Sequence, residues 1–401
     1  MPSPLTSMDS ADRSVELFTP GRICLFGEHS DWAGTYRKFN SSIVPGRALC
    51  CGTQQGLFAR ARAHPTLVVK STANDGSVLT FECEMDPATL LAKAQEGTFW
   101  SYACGVAYEI KVHFDVGGLE VDNYRTTLPI KKGLSSSAAW CVLLARAFNQ
   151  VYNLRMTTRG EMDIAYRGER CTPSQCGRLD QCCAFGSQLV SMTFNGDILE
   201  TEAVQLHVPI YLLIIDLRKA KDTKKILADL NKAYPVAKNN TEEGVHMLLG
   251  PINEKIVNDA LYVLTNDPYY QQPNPAAAPA NTATSLHTEP HLVAQRLGAL
   301  MKQSQHNFNA LARPQCPSEL TAPHLQRLLN YEPIQSLIWG GKGIGSQGDG
   351  SAQLVCRGAA EQQQVQAILE KELGVECMPL NIGVHHADDK PSIHNRDMVS
   401  I

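Results

Sequence analysis

Residues 128–154 read LPIKKGLSSSAAWCVLLARAFNQVYNL: a strand end, two lysines, a glycine, three serines and an apolar run with helical spacing. One serine suffices to cap a helix, since its hydroxyl oxygen accepts from an orphan N–H of the first turn. The second and third serines ask for another explanation. The first N–H groups of a helix point outward with about half a positive charge behind them, so such an entrance is a ready anion site. Gly133 permits close backbone approach, and Lys131 and Lys132 add positive charge. Two readings stand: a capped helix in which Ala138 and Ala139 merely pack closely, and an anion-binding loop.

The 401-residue chain is long enough for two or three domains, and a 43% hydrophobic fraction provides for a sizeable core. A formal charge of −4, with Lys and Arg spread along the chain, points to neither nucleic acid nor a membrane surface. Thirteen cysteines is an odd count, and Cys24, Cys104, Cys141 and Cys356 fall in apolar segments. That pattern suits reduced thiols in a cytoplasmic protein. The group Cys171, Cys176, Cys182 and Cys183 lacks the paired spacing of zinc sites, although a structural metal there stays open. The first residues carry no apolar leader segment, and no later run reaches membrane-spanning length, so a soluble protein is expected.

Along the chain, residues 15–28 form a strand-like run broken by Pro20 and Gly21, and 41–62 and 66–84 read as a meander. Helices are expected near 98–113 and 161–171, a strand near 117–124, and a helix over 291–312. The run IYLLIIDL at 210–217 reads as a buried strand, with a change of domain near residue 206. Residues 269–285 are rich in Pro, Ala and small polar residues and read as a flexible loop. The polar tail makes His385 and His386 solvated residues rather than ligands. Gly343, Gly345 and Gly348 match the G-x-G-x-x-G dinucleotide fingerprint, but that fingerprint opens a helix, and SAQLVC after it reads as a strand. Strand, glycine-rich turn, strand is the expectation here.

Four segments together, PGRICLFGEHSDWAG (20–34), PIKKGLSSSAA (129–139), GERCTPSQCGRLDQ (169–181 and flanking Gly168) and GGKGIGSQGDGSAQ (340–353), resemble in order and spacing the motifs of the GHMP small-molecule kinases. The closest motifs are those of galactokinase-like sugar kinases. The resemblance implies a two-domain α+β fold, with an N-terminal domain like the second domain of ribosomal protein S5 over 1–205 and a ferredoxin-like C-terminal domain over 206–401. It places the active site in the cleft between the domains. It implies ATP-dependent phosphorylation of a monosaccharide hydroxyl, including the anomeric one, with mevalonate or a catalytically silent sugar sensor as alternatives. ATP would be held by Lys131, Gly133, Leu134, Ser135, Ser136, Ser137, Gly345 and Gly348, and Mg²⁺ by Ser137 and Glu169. Asp180 matches the family's catalytic aspartate, eleven positions after Glu169, and Arg22 its basic partner; a structural ion pair between the two predicts the same proximity. Glu28, His29 and Asp31 match the sugar-binding positions. Cys24, Phe26 and Trp32 stand where galactokinases have Asn, Ile and Tyr, so the resemblance implies a monosaccharide without specifying galactose. Arg37 and Lys38 either engage an acidic sugar or are a solvated basic pair. Asp349 interrupts the third motif and has to face away from phosphate or meet a metal.

Overall fold

The computed structural model describes residues 14–72, 76–128, 133–174, 176–206, 208–270 and 289–383. Lys131, Lys132, His385, His386 and the expected loop from residue 271 onward lie outside them. Among the described residues no helix is long and apolar enough to cross a membrane. The chain divides into two compact units, one made of 1–23 and 51–187, the other of 24–50 and 188–401. The change of domain expected near 206 lies inside the second of these units, whose later segment begins at 188.

The first half of the chain runs β1 (Val15–Phe26), α1 (Ser30–Thr35), β2 (Gly46–His64), β3 (Leu67–Thr72), β4 (Val78–Cys83), α2 (Pro87–Gln95), α3 (Ser101–His113), β5 (Gly118–Thr126), α4 (Ser136–Tyr152), α5 (Thr158–Arg170), β6 (Leu189–Asn195) and β7 (Ile198–Val204). β1 is one continuous strand where a break at Pro20 and Gly21 was expected. Among the described residues its partner strand is β2, and a strand with one neighbour tolerates a residue that cannot donate to a ladder. The expected meander is also corrected: β5 inserts between β2 and β3, antiparallel to β2 and parallel to β3, giving the order β4-β3-β5-β2. A parallel neighbour requires a crossover, here the chain through α2 and α3, and local patterning of β-branched residues carries no information about it. In the same unit α4 is buried along most of its length, with Ala138 and Ala139 fully enclosed.

The second half continues as β8 (Ile210–Asp216), α6 (Thr223–Asn231), α7 (Asn240–Met247), α8 (Asn253–Thr265), α9 (Pro290–Leu311), α10 (Pro317–Leu320), α11 (Pro323–Leu329), β9 (Ile338–Gly343), β10 (Ser351–Cys356), α12 (Ala359–Leu373) and β11 (Glu376–Ile382). Its antiparallel sheet has the order β11-β8-β10-β9. In sequence order of these four strands that is fourth, first, third, second, with helices after the first and third: the ferredoxin-like arrangement. β8 is apolar from Ile210 to Ile215 because both of its faces are covered. Leu213 and Ile215 share a core with Leu354, Val365 and Leu369, whereas Leu212 faces Leu297 and Met301 of α9.

β9 and β10 form the expected strand, glycine-rich turn and strand, in antiparallel register from Gly343 opposite Ala352. Asp349 faces away from the turn: its Oδ1 accepts from the Leu325 backbone N–H at 2.8 Å, in the first turn of α11. A carboxylate there satisfies an orphan donor and meets the positive end of the helix. Asp349→Ala is therefore expected to lower stability by about 1 kcal/mol, read as a lower denaturant midpoint at constant slope. An unchanged midpoint would show that solvent replaces this cap without cost.

Candidate active-site residues

In the unit of 1–23 and 51–187, the glycine-serine segment enters α4 through two left-handed residues, Gly133 (φ 77°) and Ser135 (φ 54°). The first costs nothing at glycine, and the second is a conformation that a serine adopts only when its surroundings impose it. Ser135 stands at the N-cap position without capping. Its hydroxyl instead donates to Asp180 Oδ1 at 2.7 Å. The same Oδ1 meets Arg22 Nη2 in an ion pair. Arg22 is anchored by its backbone N–H, which donates to Leu134 O at 3.0 Å. Arg22, Ser135 and Asp180 thus come together from three separate elements. Arg22 is 5% exposed, and among the described residues its Nε and Nη1 have no hydrogen-bond partner. A buried guanidinium with two idle donors is costly until an acceptor arrives, and a phosphate oxygen is a suitable one.

Glu169 ends α5 and is buried. Gln181 Nε2 donates to its Oε2 at 2.8 Å and Ser174 Oγ to its Oε1 at 3.2 Å. The Ser137 hydroxyl also bonds Glu169, and Ser137 bonds Tyr102 as well. Burial raises the pKa of Glu169, and the hydrogen bonds from Ser137, Ser174 and Gln181 oppose the rise. A carboxylate at the negative end of a helix, away from water, is stabilised by a cation. Gln181 Oε1 beside it is buried and unpartnered. One carboxylate, a hydroxyl and an idle amide oxygen are hard oxygen donors of the kind Mg²⁺ takes. Among the described residues no group of three or more His, Cys, Asp or Glu gathers as a metal site.

In the unit of 24–50 and 188–401, Gly27 (φ 98°) turns the chain out of β1 so closely that an added Cβ would lie 2.2 Å from Arg47 O. Glu28 then forms an ion pair with Lys342 of β9, the two side chains 7% and 1% exposed. Lys342 also donates to Gly343 O at 2.9 Å. His29, left-handed at φ 71°, receives the Trp32 indole N–H on Nδ1 at 3.1 Å. The indole replaces a tyrosine of the resemblance and supplies this donor. Burial lowers the His29 pKa to about 4, helped by the charges of Lys221 and Lys342. Asp31 is buried in α1. Lys221 donates to Gln347 O at 2.8 Å, and an added Cβ at Gly350 would lie 2.9 Å from its Nζ. Gly345 and Gly348 take the positive φ values, 64° and 74°, that the turn requires.

Arg37 and Lys38 are engaged at the β6–β7 turn: Arg37 Nε donates to Asn195 Oδ1 at 2.7 Å, and Lys38 pairs with Asp197 at 2.9 Å on the exposed surface. Sequence reading missed Lys342, Lys221 and Tyr102, and quoted Gln181 without a role. Lys342 carried a signal, being a charged residue between glycines at the end of an expected strand. Lys221, in a polar connection after β8, carried none.

Residues 101–187 match the family model described as the GHMP kinases N terminal domain. The galactokinase of Thermococcus kodakarensis is 25% identical over 249 residues, 61% of this chain and 63% of that protein. The Bacillus subtilis galactokinase is 26% identical over 220 residues, 53% of this chain and 51% of that protein. The matched stretches thus span less than two-thirds of those relatives' own length. In fold, Lactococcus lactis galactokinase complexed with galactose is similar with a TM-score of 0.64 at 17% identity, covering 93% of this chain and 94% of that one. The Methanococcus jannaschii mevalonate kinase is similar with a TM-score of 0.63 at 14% identity, covering 93% and 99%. The two-domain α+β architecture is that of these kinases, residues 101–187 match the N-terminal domain model of the GHMP kinases, and the chain resembles galactokinases in its sequence.

Proposed function

We propose that the chain is an ATP-dependent kinase whose acceptor is a hydroxyl of a monosaccharide. The observation that supports it most is the triad of Arg22, Ser135 and Asp180, in which a buried guanidinium keeps two idle donors next to a carboxylate at the mouth of a helix. The acceptor hydroxyl oxygen attacks the γ-phosphorus, the bond to the ADP oxygen breaks, and the hydroxyl proton passes to Asp180. Phosphoryl transfer leaves little covalent work to the protein, so positioning and charge stabilisation dominate. Backbone donors from Gly133 to Ser137 hold the phosphates, and Arg22 meets the charge that develops on the transferred group. Glu169, Ser137 and Gln181 Oε1 would hold the Mg²⁺ that accompanies ATP, which would neutralise part of the phosphate charge. The galactokinase and mevalonate kinase folds are matched about equally well, so the choice of a sugar rests on the sequence relatives and on Glu28, His29 and Asp31.

An ATP-consumption screen of neutral sugars, uronic acids and mevalonate tests the reaction, and absence of turnover with all three classes would remove it. Glu169→Gln tests the metal assignment. With its carboxylate gone, calorimetry is expected to show Mg²⁺ strengthening ATP binding at least tenfold less than in the parent chain. Equal coupling in the two proteins would move the metal away from Glu169.

A further inference from the structure

The sequence reading makes Glu28, His29 and Asp31 acceptors for the hydroxyls of a neutral sugar, yet the surroundings of His29 consist largely of donors. The Trp32 indole nitrogen can only donate, so His29 Nδ1 is the acceptor and the ring proton sits on Nε2. Nε2 is buried with no hydrogen-bond partner; the Ser346 backbone approaches it without closing a bond of ordinary geometry. Lys221 lies close enough for its charge to bear on His29 and has the Gln347 carbonyl as its hydrogen-bond acceptor. Burial pulls the Lys221 pKa down to about 8, and Glu28 opposes that pull. Glu28, however, is already ion-paired with Lys342. The hydroxyls of Thr223, at the start of α6, and Ser346, in the β9–β10 turn, lie 3.3 Å apart.

Two ammonium groups therefore share one carboxylate, beside an imidazole N–H and two hydroxyls. A neutral diol presented to such a group leaves the half-buried Lys221 ammonium undercompensated, whereas an anion supplies several acceptor lone pairs and offsets that charge. We infer that Lys221, with His29 Nε2 and Ser346, recognises an anionic group, a carboxylate or a phosphate monoester, carried by the acceptor substrate. The inference rests on the kinase reading only in taking the ligand to be that reaction's acceptor. It moves the recognition of an acidic sugar from Arg37 and Lys38, which are engaged at the β6–β7 turn, to Lys221.

Calorimetry on the whole chain with galactose, galacturonate and galactose 6-phosphate provides the test. One anionic probe is expected to bind at least tenfold more tightly than galactose, and which one does so tells carboxylate from phosphate. Lys221→Met is expected to lower that affinity at least tenfold with ATP binding unchanged, and Lys221→Arg to retain most of it. Galactose bound as tightly as both anions, or anion affinity unchanged in Lys221→Met, would overturn the inference. Loss of ATP affinity in its place would assign Lys221 to the nucleotide and overturn it equally. If Lys221→Met does not fold, competition on the parent chain decides: inorganic phosphate or acetate should displace the anionic probe, and failure of both to do so counts against the inference. Anion binding through Lys221 without turnover would remove the kinase reading alone. Turnover of galactose at the parent rate by Lys221→Met, with no preference for anions, would remove this inference alone.

Discussion

An Asp180→Asn variant should bind ATP like the parent chain and turn over about 10²- to 10⁴-fold more slowly, the range that a positioned proton acceptor contributes. The substitution keeps the shape of the side chain and one oxygen for Ser135 and Arg22. It removes the carboxylate that receives the acceptor proton in the proposed reaction. It also leaves the Arg22 guanidinium, which already has two idle buried donors, with no counter-charge from Asp180, so a fall in thermal stability accompanies the fall in rate. The two effects separate by measurement: kcat by coupled assay, nucleotide affinity by calorimetry, the midpoint by thermal unfolding. Robust turnover by a folded Asn variant would withdraw Asp180 as the base. A purely structural Arg22–Asp180 pair predicts loss of stability with no change in kcat per folded molecule.

The largest stability change is expected at Lys342. With both side chains almost fully enclosed, removing one partner strands a charge, which typically costs about 3–5 kcal/mol. Lys342→Met should fall at the low end of that range, because Lys221 still acts on Glu28 and offsets part of its charge. Adding Glu28→Gln to Lys342→Met should recover part of the loss, since the second change removes the stranded carboxylate. Chemical denaturation of the parent, both single variants and the double variant closes the cycle. Strictly additive losses would mean that the two side chains do not interact in solution.

Much of this was legible in local sequence. The buried strand β8, the helix α9 and the hairpin of β9 and β10 each follow from a period or a glycine pattern confined to a dozen or two residues. The hairpin also disposed of the dinucleotide fingerprint, since β10 follows the glycines where a helix would have to begin. Non-local pairing was not legible. Nothing in residues 46–83 announces that β5 enters between β2 and β3, and nothing at Pro20 says that β1 has a single neighbour. The site divides along the same line. Glu169, Asp180 and Ser135 sit within motifs, so their positions could be named from resemblance. The direction of the Ser135 hydroxyl, the idle oxygen of Gln181 and the ammonium of Lys221 depend on packing between distant segments.

The pairing of Glu28 with Lys342 also bears on how the chain is made. The two residues are 314 positions apart, and a ribosome adds roughly 5–20 residues per second, so Glu28 is synthesised about 15–60 s before the partner that neutralises it. Residues 24–50 belong to a compact unit whose remaining residues begin only at 188, whereas the other unit is completed at 187. Until the residues beyond 188 are made, Ile43 and Ala33, which end in an apolar core with Ile226, Leu249 and Phe308, lack those native neighbours. Residues 24–50 are thus synthesised well before the residues of their own unit that bury them, and in that interval chaperones or their own early contacts have to protect them.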